Sequence, residues 1–172
     1  MIQTPYGYIR AAESEDAPAL VRLYDPARPR AALLDAKREP IMPTPDDVRE
    51  LLSRKEVQQG ALYAVEDATG AVRGFCSVRG VNAEAAFGET ALLFLDEEAY
   101  ATPLAEDVLE FVLDRAFVRL RLRKLLAHAF EGETALKGFL AGHGFESNGV
   151  QRDALYTLGR WHSLEVFTRF AG

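Results

Sequence analysis

The sequence has a single cysteine, Cys76, so no disulfide can form within the chain. It sits in GFCSV, the setting of a buried structural thiol rather than a reactive one. No apolar run approaches the roughly 20 residues that a membrane-spanning helix needs. The opening stretch MIQTPYGYIRAAESED also lacks the apolar segment of a secretory signal. The expected location is therefore the cytoplasm, with no membrane partner. There are only three histidines; none has the paired spacing of a metal site, and no metal is expected. Excess positive charge is missing too: the net charge is −6, which argues against nucleic-acid binding. The shortage of bases is local. Residues 61–115 hold eleven acids against three bases, whereas residues 116–172 hold eight bases against five acids.

The chain does have enough apolar material for a core. With 172 residues, 48% of them hydrophobic, it reads as one domain over residues 1–172. Tyr6–Ala11 reads as a strand. SEDAPALVRLYD follows as a helix, with Ser14 at its cap and Ala17, Leu20, Val21 and Tyr24 at helical spacing. Residues 25–45 carry five prolines and read as a connection, with a short helix around RAALLDAKR. TPDDVRELLSRK is a helix start, with Thr44 as cap, Pro45 at the first helical position and Asp46 and Asp47 in the first turn. ALYAVED and AVRGFCSVRGV form a hairpin about ATG. ETALLFLD is a strand buried on both faces. DEEAYATPLAEDVLEFVLDRAF leads into a helix apolar over most of its surface, with Glu106, Asp107, Glu110 and Asp114 as its wet stripe. KLLAHAF is a strand. GETALKGFLAGHGF is a helix ending at Gly142–Gly144, and ALYTLGRWHSLEVFTRF is two strands about Gly159–Arg160. The order βααβββαβαββ predicts a mixed α/β domain with a sheet of six to seven strands and helices on both faces.

Four of these stretches, in this order, resemble the GNAT superfamily of acyl-CoA-dependent N-acetyltransferases. The branch most like it contains ribosomal-protein alanine N-acetyltransferases and small-molecule amine acetyltransferases. YIRAAESEDAPALVRLY is similar to the family's opening strand and helix. FLDEEAYATPLAEDVLEFVLDRAF matches its fourth strand, pyrophosphate turn and central helix without gaps. AFEGETALKGFLAGHGFE matches its fifth strand and the next helix. GVQRDALYTLGRWHSLEVFTR resembles its last hairpin, with Arg152, Gly159, Arg160, Trp161 and His162 at matching positions. The resemblance implies a GNAT fold, an acetyl-CoA cofactor, and an amine acceptor that is a small molecule or a protein N-terminus. It places the cofactor along Leu93, Phe94 and Leu95, at Tyr100, Ala101, Thr102, Pro103, Leu104 and Ala105 of the turn, and at Glu133.

The turn departs from the family pattern Q/R-x-x-G-x-G/A. Tyr100 takes the Q/R position, Ala101 and Pro103 fall where glycines are expected, and only the small Ala105 fits. Helix starts hold phosphate through free N–H groups and the helix dipole, and proline supplies no N–H. Asp96, Glu97, Glu98, Glu106 and Asp107 add like charge. The residue pattern favours a helix start capped by Thr102, opened by Pro103 and neutralised by its own acids over a phosphate site that tolerates proline. Glu133 stands where the family often has an asparagine on the pantetheine arm. Leu140 stands where a tyrosine often protonates the leaving thiolate. The fourth-strand general base aligns with Thr90, and a β-bulge would bring Glu89 there instead. Glu89 is thus a base or a strand-end carboxylate. His128, alternating with Leu126 and Phe130, is an acid–base group or a satisfied histidine on an apolar face. His143 reads as a helix-end cap, and His162 as structural or as a lining of the acceptor site. The function expected is N-acetyl transfer with a weakened or lost cofactor site. The alternative is an inactive member of the fold that binds a small ligand or partner in the inherited cleft.

Overall fold

A computed structural model describes residues 1–24, 43–53, 62–157 and 159–172. The short helix expected around residues 30–38 lies outside the described residues. Among the described residues there are eight strands: β1 (Ile2–Gln3), β2 (Gly7–Ala11), β3 (Leu62–Asp67), β4 (Val72–Asn82), β5 (Phe87–Phe94), β6 (Lys124–Phe130), β7 (Glu146–Thr157) and β8 (Arg160–Phe170). They form one sheet in the order β1-β2-β3-β4-β5-β6-β8-β7. Only β5–β6 is parallel among the paired strands. The sheet exceeds the expected six to seven strands partly because Ile2 and Gln3 pair with Ile9 and Tyr8. A two-residue strand carries no periodicity to read.

The α-helices among the described residues are α1 (Ala17–Val21), α2 (Pro45–Leu52), α3 (Pro103–Leu113) and α4 (Thr134–Gly142). Two buried clusters show how they divide about the sheet. One joins Leu92, Phe94, Leu125 and Ala127 to Leu104, Val108, Leu136 and Phe139, on the α3/α4 face. The other joins Ala91, Leu93, Leu95 and Phe130 to Leu20, Val48 and Leu52, on the α1/α2 face. Alternate residues of β5 thus enter opposite cores, which is why ETALLFLD shows no polar face. Each fully buried leucine or phenylalanine contributes about 1.5–3 kcal/mol over its exposed state.

The local signals act through short contacts. Thr44 accepts from the Asp47 amide at 3.2 Å and Asp47 accepts from the Thr44 amide at 2.8 Å, a reciprocal capping box at the start of α2. Ahead of α1 the expected cap at Ser14 is replaced. A 3-10 turn occupies Ser14–Asp16 with Glu13 at the cap position, and the Asp16 carboxylate takes the Glu13 amide at 2.8 Å. Asp16 is 3% exposed and is held by the Arg10 guanidinium at 2.8 and 2.7 Å, while Arg10 also donates to Glu66 at 2.8 Å. This pairing ties β2, β3 and the first helical turn together. Gly144, at φ 79°, ends α4 in a left-handed conformation that a side chain would strain. The central helix is shorter than its pattern suggests: α3 stops at Leu113 and Asp114–Arg119 continue as a π-turn.

Candidate active site

The sheet opens between β5 and β6. Their pairing runs only from Phe87–Lys124 to Thr90–Ala127. Beyond that, β5 stays with β4 as far as Phe94–Gly74, and β6 stays with β8 as far as Phe130–Leu164. Ala91–Phe94 and His128–Phe130 therefore border an opening.

Glu89 and His128 lie on one face at this opening. Glu89 is opposite Leu126, and His128 is two residues further along β6. Period-2 alternation puts both on the α1/α2 face with Phe130. Arg79, directly opposite Glu89 on β4, joins them. All three are half-buried. Burial lowers the His128 pKa below the ordinary histidine value, the Glu89 charge raises it, and the Arg79 charge lowers it again. His128 is thus biased toward the neutral form, the form that accepts a proton. The Ser77 hydroxyl lies on the same face opposite Ala91, buried and without a hydrogen-bond partner.

No bulge separates Glu89 from Phe94, because the β4–β5 register is continuous from Arg79–Glu89 to Gly74–Phe94. The register shift lies between Arg79 and Asn82, on the other side of Glu89. Glu89 reaches the face of His128 by parity alone. Thr90 is buried on the opposite face, and its hydroxyl has no partner. Arg79 was not singled out from sequence because a lone arginine in a strand pattern gains meaning only from register.

The turn leading to α3 is a 3-10 segment over Glu97–Ala101. Thr102 has extended dihedrals at the cap position and Pro103 opens the helix. The expected side-chain cap is absent: the Thr102 hydroxyl instead donates backward to the Ala99 carbonyl at 2.6 Å. Thr102 N–H also donates to Ala99 O, at 3.1 Å, and Ala105 N–H donates to Thr102 O at 3.0 Å. Pro103 has no N–H. Few amides remain for an anion, and a surface depression of about 410 Å³ beside them is lined by Asp67, Asp96 and Glu98 with Arg73 as its cation. Arg73 is already bonded to Asp67 at 2.6 Å, and Asp96 to Arg22 at 3.2 Å. Asp107 takes the Tyr6 amide at 3.2 Å rather than only facing the dipole. Ala101, Thr102 and Pro103 are exposed, whereas Leu104 and Ala105 are buried.

The remaining candidates are in the interior. Leu93, Phe94 and Leu95 are buried. Tyr100, 7% exposed, packs edge-on to Phe94 at 5.2 Å and tilted on Phe139 at 5.9 Å. Its hydroxyl donates to the Leu92 carbonyl at 2.7 Å. Glu133 is buried and accepts from the Phe130 amide at 2.9 Å, closing the β6–α4 turn. Leu140 is core. The His143 ring bonds the Phe139 carbonyl at 2.7 Å at the end of α4, and the buried His162 bonds the Thr157 carbonyl at 3.2 Å. The structure therefore brings Glu89 and His128 together, leaves Ala101–Pro103 at the surface of the turn, and packs Tyr100 and Glu133 inside. No group of residues that could hold a metal ion occurs among the described residues, and no described helix is long and apolar enough to cross a membrane.

The model of the acetyltransferase (GNAT) domain matches residues 9–164, and the chain belongs to that family. No curated protein matches it in sequence. Among solved structures it is similar to spermidine N-acetyltransferase from Vibrio cholerae in complex with CoA and spermine, at 20% identity and a TM-score of 0.74 over 95% of each chain. It is also similar to a structure named "Probable acetyltransferase", at 19% identity and 0.77, over 97% of this chain and 94% of that one. At these identities the likeness is one of fold.

Proposed function

We propose that the chain is an N-acyltransferase acting on a small cationic amine, with a donor site weakened at its phosphate end. The observation that carries this reading is the pair Glu89 and His128, placed on one face where the β5–β6 pairing ends. An amine entering from the α1/α2 face must lose its ammonium proton before it can attack an acyl carbonyl. His128, kept neutral by burial, accepts that proton. Glu89 holds the cation and stabilises the imidazolium that forms, and Arg79 opposes Glu89 and tempers that effect. An acyl thioester supplies the activated carbonyl: the amine nitrogen forms the new C–N bond, the C–S bond breaks, and the leaving thiolate takes the second proton of the amine. The Glu89 carboxylate at the opening favours a cationic acceptor, in keeping with the spermine in the similar Vibrio cholerae structure. An N-terminal alanine of a peptide, the acceptor of the branch the last hairpin resembles, is the second substrate to try.

The helix start supports the weakened donor site: its amides are largely occupied, and its acids oppose phosphate. The same observation favours a second reading, in which catalysis has lapsed and the cleft binds a small ligand or partner. The deciding experiment measures acetyl transfer from acetyl-CoA to spermidine, spermine and an Ala-initiated peptide by the parent, Glu89→Gln and His128→Ala. A general base contributes about 10²–10⁴-fold. A loss of that size in either variant supports the transferase. Equal rates in all three remove both residues, and no transfer by the parent at millimolar acetyl-CoA leaves the ligand-binding reading.

A further inference from the structure

The register shows what fills the opening between β5 and β6. Leu95 N–H donates to Arg73 O at 2.9 Å, and these two residues are directly opposite, since Phe94 pairs with Gly74. In an antiparallel ladder, residues that exchange bonds alternate with residues that do not. Leu93 and Leu95 thus turn their amides toward β4, while Leu92 and Phe94 turn theirs toward the other edge. That edge has no strand beyond Thr90. The Leu92 carbonyl consequently points into the opening, and the Tyr100 hydroxyl occupies it at 2.7 Å. The ring enters from the α3/α4 face, wedged between Phe94 and Phe139, and the glycine-free turn Glu97–Ala101 fixes its backbone.

We infer that Tyr100 is a specificity-determining plug: it takes the hydrogen-bonding position on the open edge of β5 that an amide-bearing, extended ligand arm would use, and so weakens the binding of donors with such an arm. This rests on reading the opening as the inherited donor slot. An extended chain adds to a strand edge through main-chain bonds. Here the first available acceptor is already bonded, and the space beside it is filled by an aromatic ring. The hydroxyl matters to the fold as well, since the buried Leu92 carbonyl would otherwise lose its partner. A ligand arm must therefore displace both the ring and its bond.

Calorimetric titration with CoA and with pantetheine, the arm without its nucleotide, tests this on the parent, Tyr100→Ala, Tyr100→Leu and Tyr100→Phe. Pantetheine separates the plug from the acids at the helix start, and Tyr100→Leu keeps most of the apolar fill should the alanine variant fold poorly. The alanine and leucine variants should bind both ligands at least ~10-fold more tightly than the parent, a difference of about 1.4 kcal/mol. Tyr100→Phe, which keeps the ring, should gain less than about 2-fold. CoA should raise the melting temperature of the alanine and leucine variants but not of the parent. The proposal is overturned if the parent binds pantetheine as tightly as these two, or if the phenylalanine variant gains as much as they do. It is overturned by the parent alone if pantetheine saturates it while the Tyr100 ring resonances stay in place. A Tyr100→Ala protein that binds CoA but acetylates no amine leaves the plug standing and removes the transferase reading. A parent that acetylates amines from sub-millimolar acetyl-CoA removes the plug and keeps the transferase.

Discussion

Replacing Glu89 or Arg79 by glutamine, one at a time, should move the proton affinity of His128 in opposite directions. Glu89 faces Leu126 across one strand spacing, and His128 lies two residues further on. A strand separation of about 4.8 Å and a rise of about 3.3 Å per residue place Glu89 and His128 about 8 Å apart, and Arg79, one strand beyond, about 12 Å away. Unit charges at about 8 Å interact by about 0.5 kcal/mol in water and about 2 kcal/mol at an effective dielectric of about 20; at about 12 Å the range is about 0.3–1.4 kcal/mol. Glu89→Gln should thus weaken proton binding at His128 by about 2–30-fold, and Arg79→Gln should strengthen it by about 2–10-fold. In the parent, burial is the largest influence and holds His128 below the ordinary histidine value. An NMR titration of the imidazole resonances reads these changes, with His128→Gln identifying the signal among the three histidines. The sign for stability follows. Above the ordinary histidine pKa, folded and unfolded chains both hold the neutral ring and nothing is lost. As pH falls through that value toward the depressed folded one, the unfolded chain takes the proton first and stability declines. Glu89→Gln widens that window and Arg79→Gln narrows it. If His128 is the base, the acid limb of kcat/KM lies below the ordinary histidine value and shifts with the same signs. Displacements in the same direction, or none, would refute the placement of the three residues on one face.

Asp16→Asn should cost about 3 kcal/mol, because it leaves the partly buried Arg10 charge with Glu66 as its one carboxylate partner among the described residues; for a chain of this length, thermal unfolding should show a fall of about 6–12 °C. Glu133→Ala removes the acceptor of the Phe130 amide at 2.9 Å and should cost about 1–3 kcal/mol in urea unfolding, whereas Glu133→Gln, which keeps an acceptor oxygen, should recover most of it. Cys76 is fully buried and its thiol pKa is pushed up by that burial, so it should react with a thiol reagent only at the rate of opening of the fold; fast native-state labelling would contradict its position in the core.

What was legible in the sequence was what short range decides. Thr44, Pro45 and Asp47 start α2 with contacts three residues apart, and KLLAHAF and the hairpin about Gly70 fall where their patterns end. What was not legible depends on the partner across space. Ser14 and Thr102 are both good caps by residue type. Yet Asp16 is drawn to Arg10 and the Glu13 amide, and the Thr102 hydroxyl is nearer the Ala99 carbonyl than any amide of its own helix. Arg79 carried no motif, and Tyr100 was legible only as a position of the turn; strand register gives Arg79 its place beside Glu89 and sets the Tyr100 hydroxyl against the Leu92 carbonyl. The turn shows the difference in kind. From sequence, its missing glycines and its acids argue against phosphate binding by what they withhold. The proposed plug is a second obstacle with a different cause: a ring and hydroxyl against the Leu92 carbonyl on the open edge of β5. These obstacles act at opposite ends of a nucleotide-bearing donor, one on its phosphates and one on its arm. Restoring glycine at Ala101 and Pro103 relieves only the first, so tight binding of CoA should require changes at both the helix start and Tyr100.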